Sequence, residues 1–255
     1  VEVVERDQVA LEHVRALLPR CDGVAIIANN RVEWAVACYA TYSRGARFIP
    51  MYEAELDRIL KYIIDDSGSK VVFVSTPEIY ERVKGFVDEI DTLEKIFVID
   101  GDGEGTMAEL ERIGLENPVD SVHPDGEDIA GLIYTSGTTG NPKGVLLSHR
   151  NLSSNVIACF HENPGDMGME DRTLSFLPWA HSFGQVAELH LLVHAGASTG
   201  FAERPDTIVN DLQLVKPTLL VSVPRVFNKV YGGLNAKMEE TGGLAKYLFD
   251  MGVKA

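Results

Sequence analysis

Residues 134–144 of this 255-residue chain read YTSGTTGNPKG, a composition that no ordinary helix or strand needs. Four hydroxyl side chains, Thr135, Ser136, Thr138 and Thr139, alternate with Gly137 and Gly140, and one lysine, Lys143, follows Pro142. Glycine admits positive φ and lets backbone N–H groups approach a ligand closely, hydroxyls add donors, and the ammonium adds charge. The stretch therefore reads as a loop built to surround phosphate oxygens. The apolar run Ile129 to Tyr134 before it predicts a buried strand, and Gly144 to Leu147 after it predicts that strand's partner. Such a loop is held rigidly at both ends. The Walker phosphate loop requires Gly-Lys-Ser/Thr at the start of a helix. Here Pro142 precedes Lys143 and Gly144 follows it, so that pattern fails.

Short runs rich in Val and Ile recur along the chain with helical-period segments between them, which predicts an α/β fold with mainly parallel sheets flanked by helices. Strands are expected near 24–28, 70–74, 95–99, 173–177, 197–201 and 218–223. Helices are expected over about 31–43, capped by Asn30 and ended by Gly45, and after Thr76, with Pro77 in the first position. Further helices are expected near 150–161, 186–194, 206–215 and 244–251. The stretches Asp100 to Gly105 and Asn117 to Asp128 read as surface connections and do not divide the chain. No internal repeat is visible.

A net charge of −15 and an isoelectric point near 4.8 exclude nucleic acid as a partner, since a phosphate backbone is bound by a basic surface. An acidic protein that binds a polyanion must concentrate positive potential locally, through Lys143, backbone N–H groups and a divalent cation. Cys21, Cys38 and Cys159 are too few and too widely spaced for a disulfide framework or a zinc site. They read as buried thiols in a reducing compartment, and a cytoplasmic location is expected. No apolar run reaches the roughly 18 residues of a membrane span, and no secretory signal opens the chain. His190 and His194 stand four apart in HLLVH, which lacks the glutamate of a metalloprotease helix, so no metal is expected there.

The ordered Thr-Ser-Gly-Thr-Thr-Gly-x-Pro-Lys-Gly of residues 135–144 resembles the signature of the adenylate-forming superfamily: acyl-CoA synthetases, luciferases and the adenylation domains of peptide synthetases. Leu177 to Gly184, LPWAHSFG, is similar to a second superfamily stretch, Leu/Met-Pro-x-x-His-x-x-Gly, whose histidine lies where acyl group and nucleotide meet. Pro178 would end a strand there and release His181 at the C-terminal edge, where open α/β sheets bind ligands. Val24 to Tyr52 looks like the family's opening strand, helix and Gly-x-x-x-x-Pro turn. Lys216 to Tyr231 is similar to a segment of the long-chain acyl-CoA synthetases in which Val-Pro-Arg-Val precedes an aromatic residue, here Phe227. The resemblance covers nearly the whole chain.

It implies a ligase that activates a carboxylic acid, a fatty acid by the subfamily pattern, with ATP and CoA as co-substrates. The carboxylate attacks the α-phosphorus, pyrophosphate leaves, and the CoA thiol displaces AMP from the acyl-adenylate. A carboxylic acid with a pKa of about 4.3 is already ionised at neutral pH, so the first step needs no general base. The demand is electrostatic. The resemblance implies that Thr135, Ser136, Gly137, Thr138, Thr139, Gly140 and Lys143 hold the nucleotide, that Lys143 and His181 are catalytic, and that Thr135 helps to hold Mg2+. One lysine–phosphate pair at about 4 Å contributes on the order of 4 kcal/mol before desolvation, which is useful but not sufficient. The sequence contains neither the family's Tyr/Phe-x-Thr-Gly-Asp ribose stretch nor its C-terminal domain, and it opens on Val1. Residues 1–255 are thus expected to form a partial N-terminal AMP-binding domain that is inactive alone. Apolar surface left by the missing part would favour self-association, for instance as a homodimer, and peripheral contact with a membrane stays open. An adenylation domain for an aryl or amino acid, and a noncatalytic nucleotide-binding module, are the alternatives.

Overall fold

The computed structural model describes residues 22–135, 140–162, 167–202, 204 and 207–254. Six strands form the main sheet: β1 (Gly23–Ile27), β2 (Arg47–Met51), β3 (Ser69–Val74), β4 (Lys95–Val98), β5 (Ile129–Thr135) and β6 (Lys143–Ser148). Their spatial order is β4-β3-β1-β2-β5-β6, with all pairs parallel except the antiparallel β5–β6 hairpin. Parallel strands need crossovers, and these are α1 (Val32–Ser43), α2 (Asp57–Asp66), α3 (Pro77–Val83) and α4 (Met107–Glu116).

The buried strands are apolar on both faces, as a sheet covered on both sides requires. In β1, Val24 and Ile26 join a core with Trp34, Ala37 and Cys38 of α1 and with Met107 and Leu110 of α4. Ala25 and Ile27 point the other way, into a core made with Ile59, Leu60, Ile63 and Ile64 of α2. The result is a helix–sheet–helix sandwich.

A capping box starts α5 (His149–His161) directly after β6: Asn151 N–H donates to Ser148 Oγ at 3.2 Å, and Ser148 N–H donates to Asn151 Oδ1 at 3.0 Å. A second, two-stranded parallel sheet pairs β7 (Arg172–Ser175) with β8 (Ser198–Phe201). Between them lie a helical turn at Ser182–Gly184, a π-helical stretch at Gln185–His190 and α6 (Leu191–Ala195). Helices α7 (Ile208–Val215), α8 (Pro224–Thr241) and α9 (Gly243–Lys254) follow. Among the described residues no helix is long and apolar enough to cross a membrane.

Several local expectations need correction. Asn30 does not cap α1: Arg31 occupies that position without a side-chain cap, while Asn30 reaches across to the segment after β7. Residues 218–223 form no strand. Thr218 and Leu219 N–H both donate to Arg172 O, and the Thr218 hydroxyl accepts from Arg172 N–H, so pairing with β7 stops at its first residue. Cys38 is buried as expected but Cys159 is exposed on α5, and Cys21 lies outside the described residues. Thr76 does cap α3, accepting from Ile79 N–H at 3.4 Å ahead of Pro77.

Candidate active site

The β5–β6 hairpin holds the phosphate-type loop by both ends, as its flanking apolar runs require. Thr135 pairs with Lys143 and Tyr134 with Gly144. Cross-strand partners share a face, so Thr135 and Lys143 stand side by side where the loop leaves the sheet. Gly140 has φ +123°, a conformation open to glycine. Ser136, Gly137, Thr138 and Thr139 lie outside the described residues. The Tyr134 ring lies close over Gly144, so that a Cβ there would sit 3.1 Å from Cζ and require the ring to give way by a few tenths of an ångström. The Tyr134 hydroxyl donates to Asp66 Oδ2 at 2.7 Å and ties the hairpin to α2. Burial and the Asp66 carboxylate push this phenol well above its ordinary range, so it stays a donor.

The second motif leaves β7 at Ser175. Trp179 is its packing anchor, in edge contact with Trp34 of α1 and Phe201 of β8, each at 5.4 Å between ring centroids. Such contacts add about 0.5–1.5 kcal/mol each beyond area burial. Pro178 O accepts from His181 N–H at 3.1 Å, and His181 Nδ1 accepts from Phe183 N–H at 3.2 Å, so the histidine caps the turn at Ser182–Gly184. With Nδ1 engaged as an acceptor, the neutral ring carries its proton on Nε2.

A cleft of about 500 Å3 opens at the C-terminal ends of β2 and β5. Thr135, Gly140 and Pro142 line it from the hairpin, and Ala180, His181 and Ser182 from the second motif. Met51, Ile59 and Ile63 supply an apolar floor. Arg58, at the first turn of α2, supplies positive charge to the wall. The structure thus brings Thr135, Gly140 and His181 together. Lys143 is exposed and stands outside the cleft's described lining.

Residues 52–64 were not assigned to the site from sequence, yet DRILKYIIDD carries apolar residues at 59, 60, 63 and 64, the spacing of a helix with one buried face. Asn30 and Glu188 were missed as well. Glu188 is wholly buried, with 0% of its surface exposed. Its Oε2 accepts from Ser175 Oγ at 2.5 Å, and its Oε1 accepts from Leu177 N–H at 3.2 Å and Phe176 N–H at 3.3 Å. Burial, partly offset by these donors, pushes its pKa up to about 7. The signal was present: a lone carboxylate within the otherwise uncharged run Leu177 to Ala202. His190 is buried too, with the Tyr39 hydroxyl 2.9 Å from Nδ1, and burial pushes it down to about 4. His194 is exposed against Phe160.

A family model described as AMP-binding enzyme matches residues 15–252. Long-chain-fatty-acid–CoA ligase 1 of Homo sapiens is 30% identical over 249 residues, which is 91% of this chain and 35% of the human protein. Long-chain-fatty-acid–CoA ligase 5 of Mus musculus is 32% identical over 248 residues, 90% of this chain and 36% of the mouse protein. The crystal structure of a long-chain-fatty-acid-CoA ligase from Archaeoglobus fulgidus shares the fold, with a TM-score of 0.75 at 24% identity over 92% of this chain and 45% of that one. The chain spans about a third of the length of the curated relatives it matches.

Proposed function

This chain belongs to the AMP-binding enzyme family, and from that premise we propose that it serves the ATP-dependent activation of a long-chain fatty acid to its CoA thioester, with release of AMP and pyrophosphate. The observation that carries the reading is the meeting of Thr135, Gly140 and His181 on one cleft at the C-terminal edge of the sheet. Open α/β sheets bind ligands at that edge. The fatty-acid assignment rests on the names of the human and mouse relatives.

The chemistry asks for two anions to be brought together and for charge on the departing pyrophosphate to be stabilised. The Thr135 hydroxyl and the loop donors hold phosphate oxygens in this scheme, with Lys143 at the rim and Arg58 on the wall offsetting charge. Ser136, Gly137, Thr138 and Thr139 continue the same sequence motif. His181 presents Nε2–H toward the oxygen that joins acyl group and phosphate, its ring held by the Phe183 amide. The apolar floor of Met51, Ile59 and Ile63 restricts water at the reacting centre. Magnesium, which neutralises phosphate charge when bound, would rest on Thr135 and on the nucleotide's own oxygens. Among the described residues no group of three acidic, histidine or cysteine side chains gathers to hold a cation. In this reading the 255 residues form the phosphate-facing part of the site and leave ribose recognition to groups outside them.

The test is acid-dependent ATP–pyrophosphate exchange by the full-length protein, followed by trapping of the acyl-adenylate with hydroxylamine and by thioester formation with CoA. Exchange driven by long-chain fatty acids is expected. Exchange driven only by aryl or amino acids would reassign the substrate, and ATP binding without any exchange would leave a noncatalytic nucleotide-binding module.

A further inference from the structure

We propose that Glu188 is a positioning residue for His181: together with Asn30 it clamps the segment between β7 and the Ser182–Gly184 turn and thereby sets where the imidazole meets the cleft. This rests on the reading of His181 given above. The segment 176–179 has left the β7–β8 ladder, so its backbone groups need other partners. Two side chains provide them. Glu188 accepts from the amides of Phe176 and Leu177 and from the Ser175 hydroxyl. Asn30, from the end of the β1–α1 connection, donates through Nδ2 to Leu177 O at 2.7 Å and to Ser175 Oγ at 3.0 Å, and its Oδ1 accepts from Trp179 N–H at 2.9 Å. Ser175 Oγ joins the two clamps. The next link is the His181 amide on the carbonyl of Pro178, the residue between the clamped Leu177 and Trp179.

A buried carboxyl is costly to keep, and an apolar helix face would pack against β7 without it. The carboxyl instead projects from the π-helical stretch at Gln185–His190, an irregularity frequent at functional sites. The groups that face it are uncharged: a hydroxyl, two amides and the Trp179 indole. A carboxyl that merely fills a hole would leave the His181 ring where it is when replaced. A clamp would not.

The experiment uses Glu188→Ala, Glu188→Gln and Asn30→Ala in the full-length protein, with the His181 ring signal read by 1H–13C correlation in 13C-histidine-labelled samples and assigned by its loss in His181→Gln. Glu188→Ala is expected to move that signal and to lower the turnover of acid-dependent pyrophosphate exchange by about 10-fold or more, with KM for ATP within about 2-fold of the wild type. Glu188→Gln keeps an oxygen for the two amides and is expected to return both readouts most of the way. Asn30→Ala acts on the same segment from the other side and decides the matter if Glu188→Ala does not fold. His181 ring signals at wild-type positions in every folded variant, with only the melting temperature lowered, would overturn the proposal. If the wild type itself shows no acid-dependent exchange, the functional reading fails, and the ring signals alone still decide whether Glu188 and Asn30 position His181.

Discussion

Gly184 closes the second motif at a point where the chain has no room for a side chain. A Cβ built there lies 2.3 Å from Pro178 O, 2.9 Å from Pro178 C and 3.1 Å from Leu177 O. The nearest of these falls about 1 Å short of ordinary contact, and all three obstacles are backbone, which cannot swing aside as a lysine tip would. Gly184→Ala must therefore push the Ser182–Gly184 turn away from Pro178, whose carbonyl also accepts from the His181 amide. Overpacking of this kind costs about 1–3 kcal/mol, and the rigid neighbours point to the upper half of that range. For a chain of this size about 2–3 kcal/mol lowers the melting temperature by roughly 4–12 °C. The control is Gly103→Ala, where nothing lies within 4 Å of the added methyl and stability should hold within about 0.5 kcal/mol. Thermal unfolding of both variants measures the difference, and pyrophosphate exchange by Gly184→Ala measures the accompanying shift of His181, expected to be up to about 100-fold. Equal melting temperatures in the two variants would refute the close approach of Gly184 to Pro178.

Glu188→Gln should change how stability depends on pH. The carboxyl titrates near 7 when folded and at its ordinary 4.5 when unfolded, so the stability that comes from holding this proton is complete below 4.5 and is lost as pH rises through 7. Urea unfolding should show the wild type losing about 3 kcal/mol relative to Glu188→Gln across that interval, and parallel profiles would count against a buried neutral carboxyl. Lys143→Ala should weaken pyrophosphate exchange while leaving the melting temperature within about 1 °C, because the side chain is exposed at the start of β6; wild-type exchange would remove Lys143 from the phosphate site. His181→Ala should impair formation of the trapped acyl-adenylate more than it impairs ATP binding measured by calorimetry, and a normal yield of adenylate would leave His181 as a cap of its turn.

Five of the six strands of the main sheet and the two ends of the phosphate-type loop were legible because their signals are local: unbroken Val and Ile runs and turn residues between them, with the Thr76–Pro77 start of α3 equally local. The strand β2 (Arg47–Met51), short and interrupted by Pro50, was read as a turn and is a strand because β1 and β5 flank it. The convergence of the two motifs was foreseeable only through the family resemblance, since nothing in the spacing of Thr135 and His181 says that β5 and the segment after β7 end at one cleft. Asn30 shows the limit of local reading. Before a helix an asparagine is a good cap, and the sequence offers no sign that a segment some 145 residues downstream competes for it and wins with three hydrogen bonds. Residues 218–223 show the same limit from the other side. Their apolar β-branched content suits a strand, but a strand also needs a partner edge, and the neighbouring β7 offers them only its first residue.

The π-helical stretch places two ionisable side chains two residues apart in the interior, and burial moves them in opposite directions: Glu188 up to about 7 and His190 down to about 4. Between roughly pH 4.5 and 6.5 an unfolded chain carries a carboxylate and an imidazolium at these positions, whereas the folded chain carries neither. Folding in that interval amounts to handing one proton from imidazole to carboxyl, with no net exchange with solvent. Stability varies with pH through the difference in protons bound by the two states, so the pair contributes slopes of equal size and opposite sign. A group that weakens the fold as pH rises, Glu188, and one that weakens it as pH falls, His190, thus conceal one another, and replacing either one exposes the titration of the other.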